Sequence, residues 1–186
     1  MKPSNILVAA SSLILGGCTG IPSGVQAVDD FDVQRYQGTW YEVARLDHRF
    51  ERGRNRVSAT YTPRDDGGIT VHNRGYDPKS GGWKEIQGRA YFVGETNKGR
   101  LKVTFFWPFY GAYNVIALDH DAYSFAMVCG PSRSYLWILA REKTVQAPIL
   151  EELIAEALRL GFSTDGLIFV TQDNEPGAVS DPRHAE

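Results

Sequence analysis

Cys18 is the residue whose setting points most directly to covalent chemistry. One lysine, Lys2, precedes an apolar run from Ile6 to Leu15, and the small pair Gly16-Gly17 gives a peptidase room to reach the bond before the cysteine. The run is too short to cross a bilayer, which takes about 20 residues. A second group is electrostatic: Arg45, His48, Arg49, Arg52, Arg54 and Arg56 crowd one short segment against Asp47 and Glu51. Guanidinium groups pair with carboxylate or phosphate through two donors, so these arginines either suit an anionic head group or are solvated loop charges. Other chemistry lacks its residues. No Gly-x-Ser-x-Gly, paired-carboxylate or Cys-His arrangement stands out, so the chain does not read as an enzyme. His48, His72, His120 and His184 are scattered singly, without metal-ligand spacing, and neither a metal nor a cofactor is expected. His120 lies between Asp119 and Asp121, but such a turn more readily hydrogen-bonds its own backbone.

The elements that must position these residues belong to one domain. The chain has 186 residues, 42% hydrophobic and 23% charged, with a formal charge of -2, which gives no reason to expect nucleic acid. Cys129 is the one thiol besides Cys18, so stability must come from the core rather than from a disulfide. Thr19 to Val28 is small and polar and reads as a tether. From Thr39 to Arg141 apolar and polar residues alternate between regular turn clusters, which predicts strands near 39–46, 56–63, 68–75, 83–93, 100–106, 113–119, 123–128 and 135–141. The period then changes: Leu150, Leu153, Ile154, Ala157 and Leu158 predict one amphipathic helix, with Pro148 near its start and Gly161 after its end. Leu167 to Val170 adds a short strand, and from Thr171 onward a polar tail is expected to fray. Eight antiparallel strands make a sandwich or a closed barrel. Closure removes sticky edges and leaves an interior able to hold one small ligand, and a single outer helix fits the barrel better.

The setting of Cys18 resembles bacterial lipoprotein signals. That implies a lipid on Cys18 as the only covalent group, and with Thr19 next in line it implies sorting to the outer membrane, on its periplasmic face. Gly38-Thr39-Trp40-Tyr41-Glu42, Asp119-His120-Asp121-Ala122-Tyr123 and Arg141 resemble the three short motifs of the lipocalin family. The likeness extends from Phe31 to Val170 and includes Pro108-Phe109-Tyr110-Gly111 and Tyr135-Leu136-Trp137-Ile138-Leu139. It implies an all-β, eight-stranded up-and-down barrel with one helix packed outside. The expected organisation is a signal over 1–17, lipidated cysteine and tether over 18–30, barrel and helix over 31–172, and a polar tail over 173–186.

Up-and-down connection brings Gly38, Trp40, Asp119, Tyr123 and Arg141 to one end, where the arginine stacks on the indole as a structural floor. The mouth then comprises 47–55, 76–82, 107–112 and 129–134, rimmed by Arg49, Arg52 and their neighbours and by Phe50. Alternation points Val71 inward from strand 3, Tyr91 from strand 4, Phe105 from strand 5, Tyr113, Val115 and Ala117 from strand 6, and Trp137 from strand 8. Aromatics near the mouth with aliphatics below suit an acyl chain, or they fill the barrel; the resemblance favours a cavity. Phe109 and Tyr110 form an unusually apolar turn, readable as a lip, a membrane-touching loop or half of a homodimer contact. The expected function is a tethered binder or carrier of fatty acids or lysophospholipids. The alternative is an envelope scaffold acting through its aromatic mouth loop, and lipid isomerisation has no positive sign.

Overall fold

The computed structural model describes residues 19–172; Cys18, the signal segment and the tail 173–186 lie outside the described residues. A short helix α1 (Val33–Tyr36) opens the domain, its first turn capped by the Asp32 carboxylate, which accepts from the backbone N–H of Gln34 and Arg35. Eight strands follow: β1 (Gly38–Leu46), β2 (Asn55–Pro63), β3 (Ile69–Asp77), β4 (Gly82–Phe92), β5 (Arg100–Phe106), β6 (Phe109–Leu118), β7 (Phe125–Cys129) and β8 (Leu136–Ala140). Helix α2 (Ala147–Arg159) and β9 (Leu167–Phe169) complete the chain. All eight predicted strands are present. The Phe109-Tyr110-Gly111 stretch, expected as turn, is instead the start of β6 and leaves Trp107-Pro108 as the turn.

Each strand pairs antiparallel with the next, and β1 pairs with both β8 and β2, which closes the barrel. The seam between β1 and β2 has an unusual construction. Their ladder covers Gly38 to Tyr41; beyond it, toward the mouth, β1 pairs with β9 over Ala44 to Leu46. The segment after β9 fills the gap: Val170 N–H donates to Val43, Arg56 N–H to Thr171, and the buried Gln172 amide to the carbonyls of both Glu42 and Val57. Thr171 and Gln172, expected to fray, are therefore stitched into the wall.

Two apolar cores result. One fills the barrel and includes Trp40, Tyr61, Val71, Leu101, Val115 and Leu139; the other lies between the outer wall and α2, whose Leu150, Leu153, Ile154 and Ala157 are buried. Burying a leucine or isoleucine contributes about 1.5–3 kcal/mol, which holds the helix in place. Leu158, counted in the predicted stripe, is exposed. Bulges re-aim side chains. On β1 the register shifts between Glu42 and Ala44, and on β6 between Val115 and Ala117, so Leu118 rather than Ala117 joins the interior.

The predicted tether is also docked. Val28 bonds Val115 and Gly99 through its backbone, Ser23 carbonyl accepts from Arg133, and Gly20 carbonyl accepts from the Asn114 amide. Residues 20–28 run as a strap up the outer wall.

The floor is assembled as its motifs predict. Arg141 Cζ stands 4.1 Å over the Trp40 ring, and its guanidinium donates to the carbonyls of Tyr123, Thr39 and Arg35 at 3.3, 3.1 and 2.6 Å. Gly38, at φ 91°, lets the chain turn from α1 into β1 under that guanidinium. The Asp119 carboxylate accepts from the backbone N–H of Asp121, Ala122 and Ser124 and from the Ser124 hydroxyl, the turn-building role expected of it. Lysine cannot bridge three carbonyls and stack at once. Arg141→Lys is expected to lower the free energy of unfolding by about 1–3 kcal/mol in urea titrations, with the far-ultraviolet spectrum unchanged.

Candidate ligand site

The two ends of the lumen differ in chemistry. At the deep end the Tyr113 hydroxyl lies 2.8 Å from that of Tyr36 and 2.8 Å from that of Tyr61. Burial pushes all three phenols well above their ordinary pKa, so they remain neutral. With Phe31, Ile69, Val71, Ala90 and Leu101 they enclose a void of about 10 Å³, room for one water. Val71 and Tyr113 are therefore lumen residues as predicted, but aromatics crowd the deep end as well as the mouth. Ligand sites commonly offer about 300–1,000 Å³, so a hydrocarbon tail must displace side chains here.

Phe105 is the side chain best placed to yield. It packs against the interior cluster, its ring so close to Gly88 that an added Cβ would meet Phe105 Cδ1 at 2.7 Å and the Thr104 carbonyl at 2.6 Å. The β4–β5 ladder ends at Arg89 opposite Thr104, and beside that point a half-open groove of about 300 Å³ is lined by Gln87, Gly88, Arg89, Thr104, Phe105 and Trp107 among others. Phe105 has a packed lumen on one side and open space on the other. Tyr91, expected beside it, belongs to the outer wall: Ala90 and Phe92 take the inward positions, while the Tyr91 hydroxyl donates to Asp66 at 3.1 Å. Alternation misled there because β4 carries apolar residues on both faces.

The mouth end is charged. Ala44 and Leu46 pack in the outer core, so Arg45, between them and paired with Trp137, points into the barrel, only 1% exposed. Its Nη1 donates to Glu42 Oε1 at 2.5 Å and its Nη2 to the carbonyls of Glu51 and Arg54 at 2.9 and 3.2 Å. The Trp137 indole N–H donates to Glu51 Oε2 at 3.1 Å, and His48 Nε2 lies 3.1 Å from the same oxygen. Two buried nitrogens, Arg45 Nε and His48 Nδ1, have no hydrogen-bond partner. An unpaired donor on a buried guanidinium is costly, and it marks a place where an acceptor from outside the chain would be favoured. Trp137 was anticipated. The Glu42, Arg45, His48 and Glu51 cluster was not, since counting parity from Trp40 without the bulge puts Arg45 outside.

Of the predicted rim, Arg49, Phe50 and Arg52 lie exposed on the β1–β2 loop as expected. Arg52 pairs with Asp47 at 2.7 Å in solvent, and Arg49 lies over the exposed Phe50 ring at 5.0 Å. None of Arg49, Phe50 and Arg52 lines the lumen, and Arg45, assigned to the rim, is buried in it. Burial, with the Glu51 charge beside it, pushes the Glu42 carboxyl well above its ordinary pKa, outweighing the pull of Arg45. Burial alone would raise Glu51 too, but His48 and the Trp137 N–H hold it low. The two carboxyls are therefore pushed in opposite directions. Burial also pushes the Cys129 thiol up to about 12, which leaves it unreactive.

A closed eight-stranded antiparallel barrel with an arginine stacked on the floor tryptophan and one helix packed outside defines a lipocalin, and the chain belongs to that family. The lipocalin-like domain family matches residues 31–172. The outer membrane lipoprotein Blc of Vibrio cholerae is 51% identical over 167 residues, covering 90% of this chain and 98% of its own. Its namesake in Escherichia coli is 50% identical over 169 residues, covering 90% and 95%. Temperature-induced lipocalin-1 of Arabidopsis thaliana is 34% identical over 162 residues, covering 82% and 85%. Among solved structures, insecticyanin of the tobacco hornworm superposes with a TM-score of 0.65 at 20% identity, covering 86% and 89%, a likeness of fold.

Glu42 has a raised folded-state pKa, so its contribution to stability is present at acid pH and lost as pH rises through that elevated value. Glu51 has the opposite sign, losing its contribution as pH falls. Glu42→Gln mimics the protonated side chain. The variant is expected to stay stable in alkali where the parent weakens, each unit of elevation being worth about 1.4 kcal/mol, as read by urea midpoints from pH 5 upward. Identical pH profiles would overturn the raised pKa of Glu42.

Proposed function

We infer that the barrel binds a single-chain amphiphile, a fatty acid or a lysophospholipid, with its anionic head at Arg45 and His48 and its tail toward the tyrosine floor. The protein is a lipocalin of the outer membrane, held there by a lipid anchor, and a lipid-binding role is what its family and relatives support. Cys18 is the residue to which that anchor is assigned. The observation that carries the reading is the unpartnered Arg45 Nε buried in the lumen above an apolar end. A carboxylate or phosphate oxygen would satisfy it, and burying each CH2 of the tail contributes about 0.8 kcal/mol. A tail pressing on the deep end has Phe105 to displace and the groove behind it to receive the ring.

Trp137 reports the test. Titration with fatty acids and lysophospholipids of increasing length is expected to change its emission saturably, with affinity rising roughly fourfold per CH2 until the tail meets the tyrosines. Phe105→Ala is expected to bind more tightly while losing about 1–3 kcal/mol of stability. Absence of saturable binding, or affinity independent of chain length, would overturn the carrier and leave the scaffold that acts through its mouth loop.

A further inference from the structure

The described chain begins at the mouth end of the barrel, and so does nearly all of its exposed aromatic surface. Gly20 carbonyl is held by the Asn114 amide, which also donates to the carbonyls of Cys129 and Gly130 where β7 runs out at the mouth. Ser23 carbonyl is held by Arg133 of the β7–β8 mouth loop, and the same guanidinium grips the Leu160 carbonyl at the end of α2. The described chain thus starts on the mouth side of the outer wall, with Gly20 beside the β7–β8 loop and two residues after Cys18.

Five of the seven exposed large hydrophobic residues among those described lie at this end: Phe50, Trp83, Phe106, Trp107 and Phe109. Phe106, Trp107 and Phe109 are 67%, 73% and 72% exposed on one tight hairpin, where no folding role accounts for them. Cations accompany them. Lys102 Nζ lies 4.9 Å over Tyr110 and Arg49 beside Phe50, while Arg74, 3.9 Å over the Trp83 ring, is itself paired with Glu85 at 3.0 Å. Aromatic rings flanked by Lys and Arg settle at the head-group level of a bilayer, each basic side chain adding about 1 kcal/mol on an anionic surface.

We propose that the barrel docks mouth-down on the bilayer that holds its anchor, with the Trp107 hairpin sunk into the head-group region. The proposal rests on the lipid at Cys18 and not on which ligand the lumen takes. Its consequence is that an amphiphile passes between bilayer and lumen without crossing water.

The test uses the full lipidated chain in vesicles of phosphatidylethanolamine and phosphatidylglycerol carrying bromine near the head group. Bromine quenches indoles it touches; Trp40 and Trp137 belong to the interior, whereas Trp83 and Trp107 lie at the rim. Strong quenching is expected, falling at least twofold in Trp107→Phe while vesicle attachment is unchanged, because the lipid still holds the protein. Phe106→Ser with Phe109→Ser is expected to slow fatty-acid transfer from vesicles at least fivefold. Quenching that is absent, or equal in Trp107→Phe, would overturn the proposal, as would a hairpin protected by self-association into a dimer. Loss of ligand binding alone would leave the quenching intact, so the two readings fail separately.

Discussion

A guanidinium buried inside a barrel is the constraint around which the mouth is built. Arg45 is always charged and cannot be left alone in an apolar lumen, so the chain must bring it a carboxyl oxygen and carbonyls or lose the fold. Glu42 supplies the first from the same strand; Glu51 and Arg54 supply the second by folding the β1–β2 loop back over the opening. That loop carries the Glu51 carboxylate to the Trp137 indole, fixing the one aromatic of β8 that faces the mouth. One charge thereby organises two strands and a loop, and it still keeps one donor unspent.

The strands and the floor were legible because their signals are local and mutually consistent. Period-2 alternation located every strand, and simple counting of up-and-down turns brought Trp40 and Arg141 together across 101 positions. The upper lumen was not legible, for two reasons. A bulge after Glu42 shifts parity by one, which turns Arg45 inward, and no residue type announces it. On β4, apolar residues on both faces made alternation ambiguous, so Tyr91 was placed inside when Asp66 holds it outside. The capping of α1 by Asp32 carried a readable signal, an aspartate two residues before the backbone donor it serves. Gln172, by contrast, is a polar residue in a polar tail, and only the gap it fills explains its burial.

The molecule is chemically polar along its axis. At the floor, a cation stacked on an indole and bonded to three carbonyls closes the barrel, and the Asp119 carboxylate holds the neighbouring turn. At the mouth, two oppositely shifted carboxyls, an unsatisfied donor and exposed rings all sit within a few strands' width. Stability is concentrated where nothing happens, and adaptability where a ligand must pass.

The hydrogen-bond ladders show how such an interior can open. β1 and β2 are laced only near the floor, and β4 and β5 likewise stop pairing at Arg89 and Thr104. Separating strands beyond the end of a ladder breaks no backbone hydrogen bonds, so these are the two seams that part at least cost. They are not equivalent. The first is filled by Val170 to Gln172, whose bonds to both walls would have to be given up together. The second has no such wedge; it is closed by the Phe105 ring lying on Gly88, with a groove of about 300 Å³ behind it. A ring rotating into existing space costs packing on one face only. Expansion to admit a tail is therefore directed to the β4–β5 seam, directly beneath the Trp107 hairpin, which places the yielding wall of the barrel next to its most apolar surface.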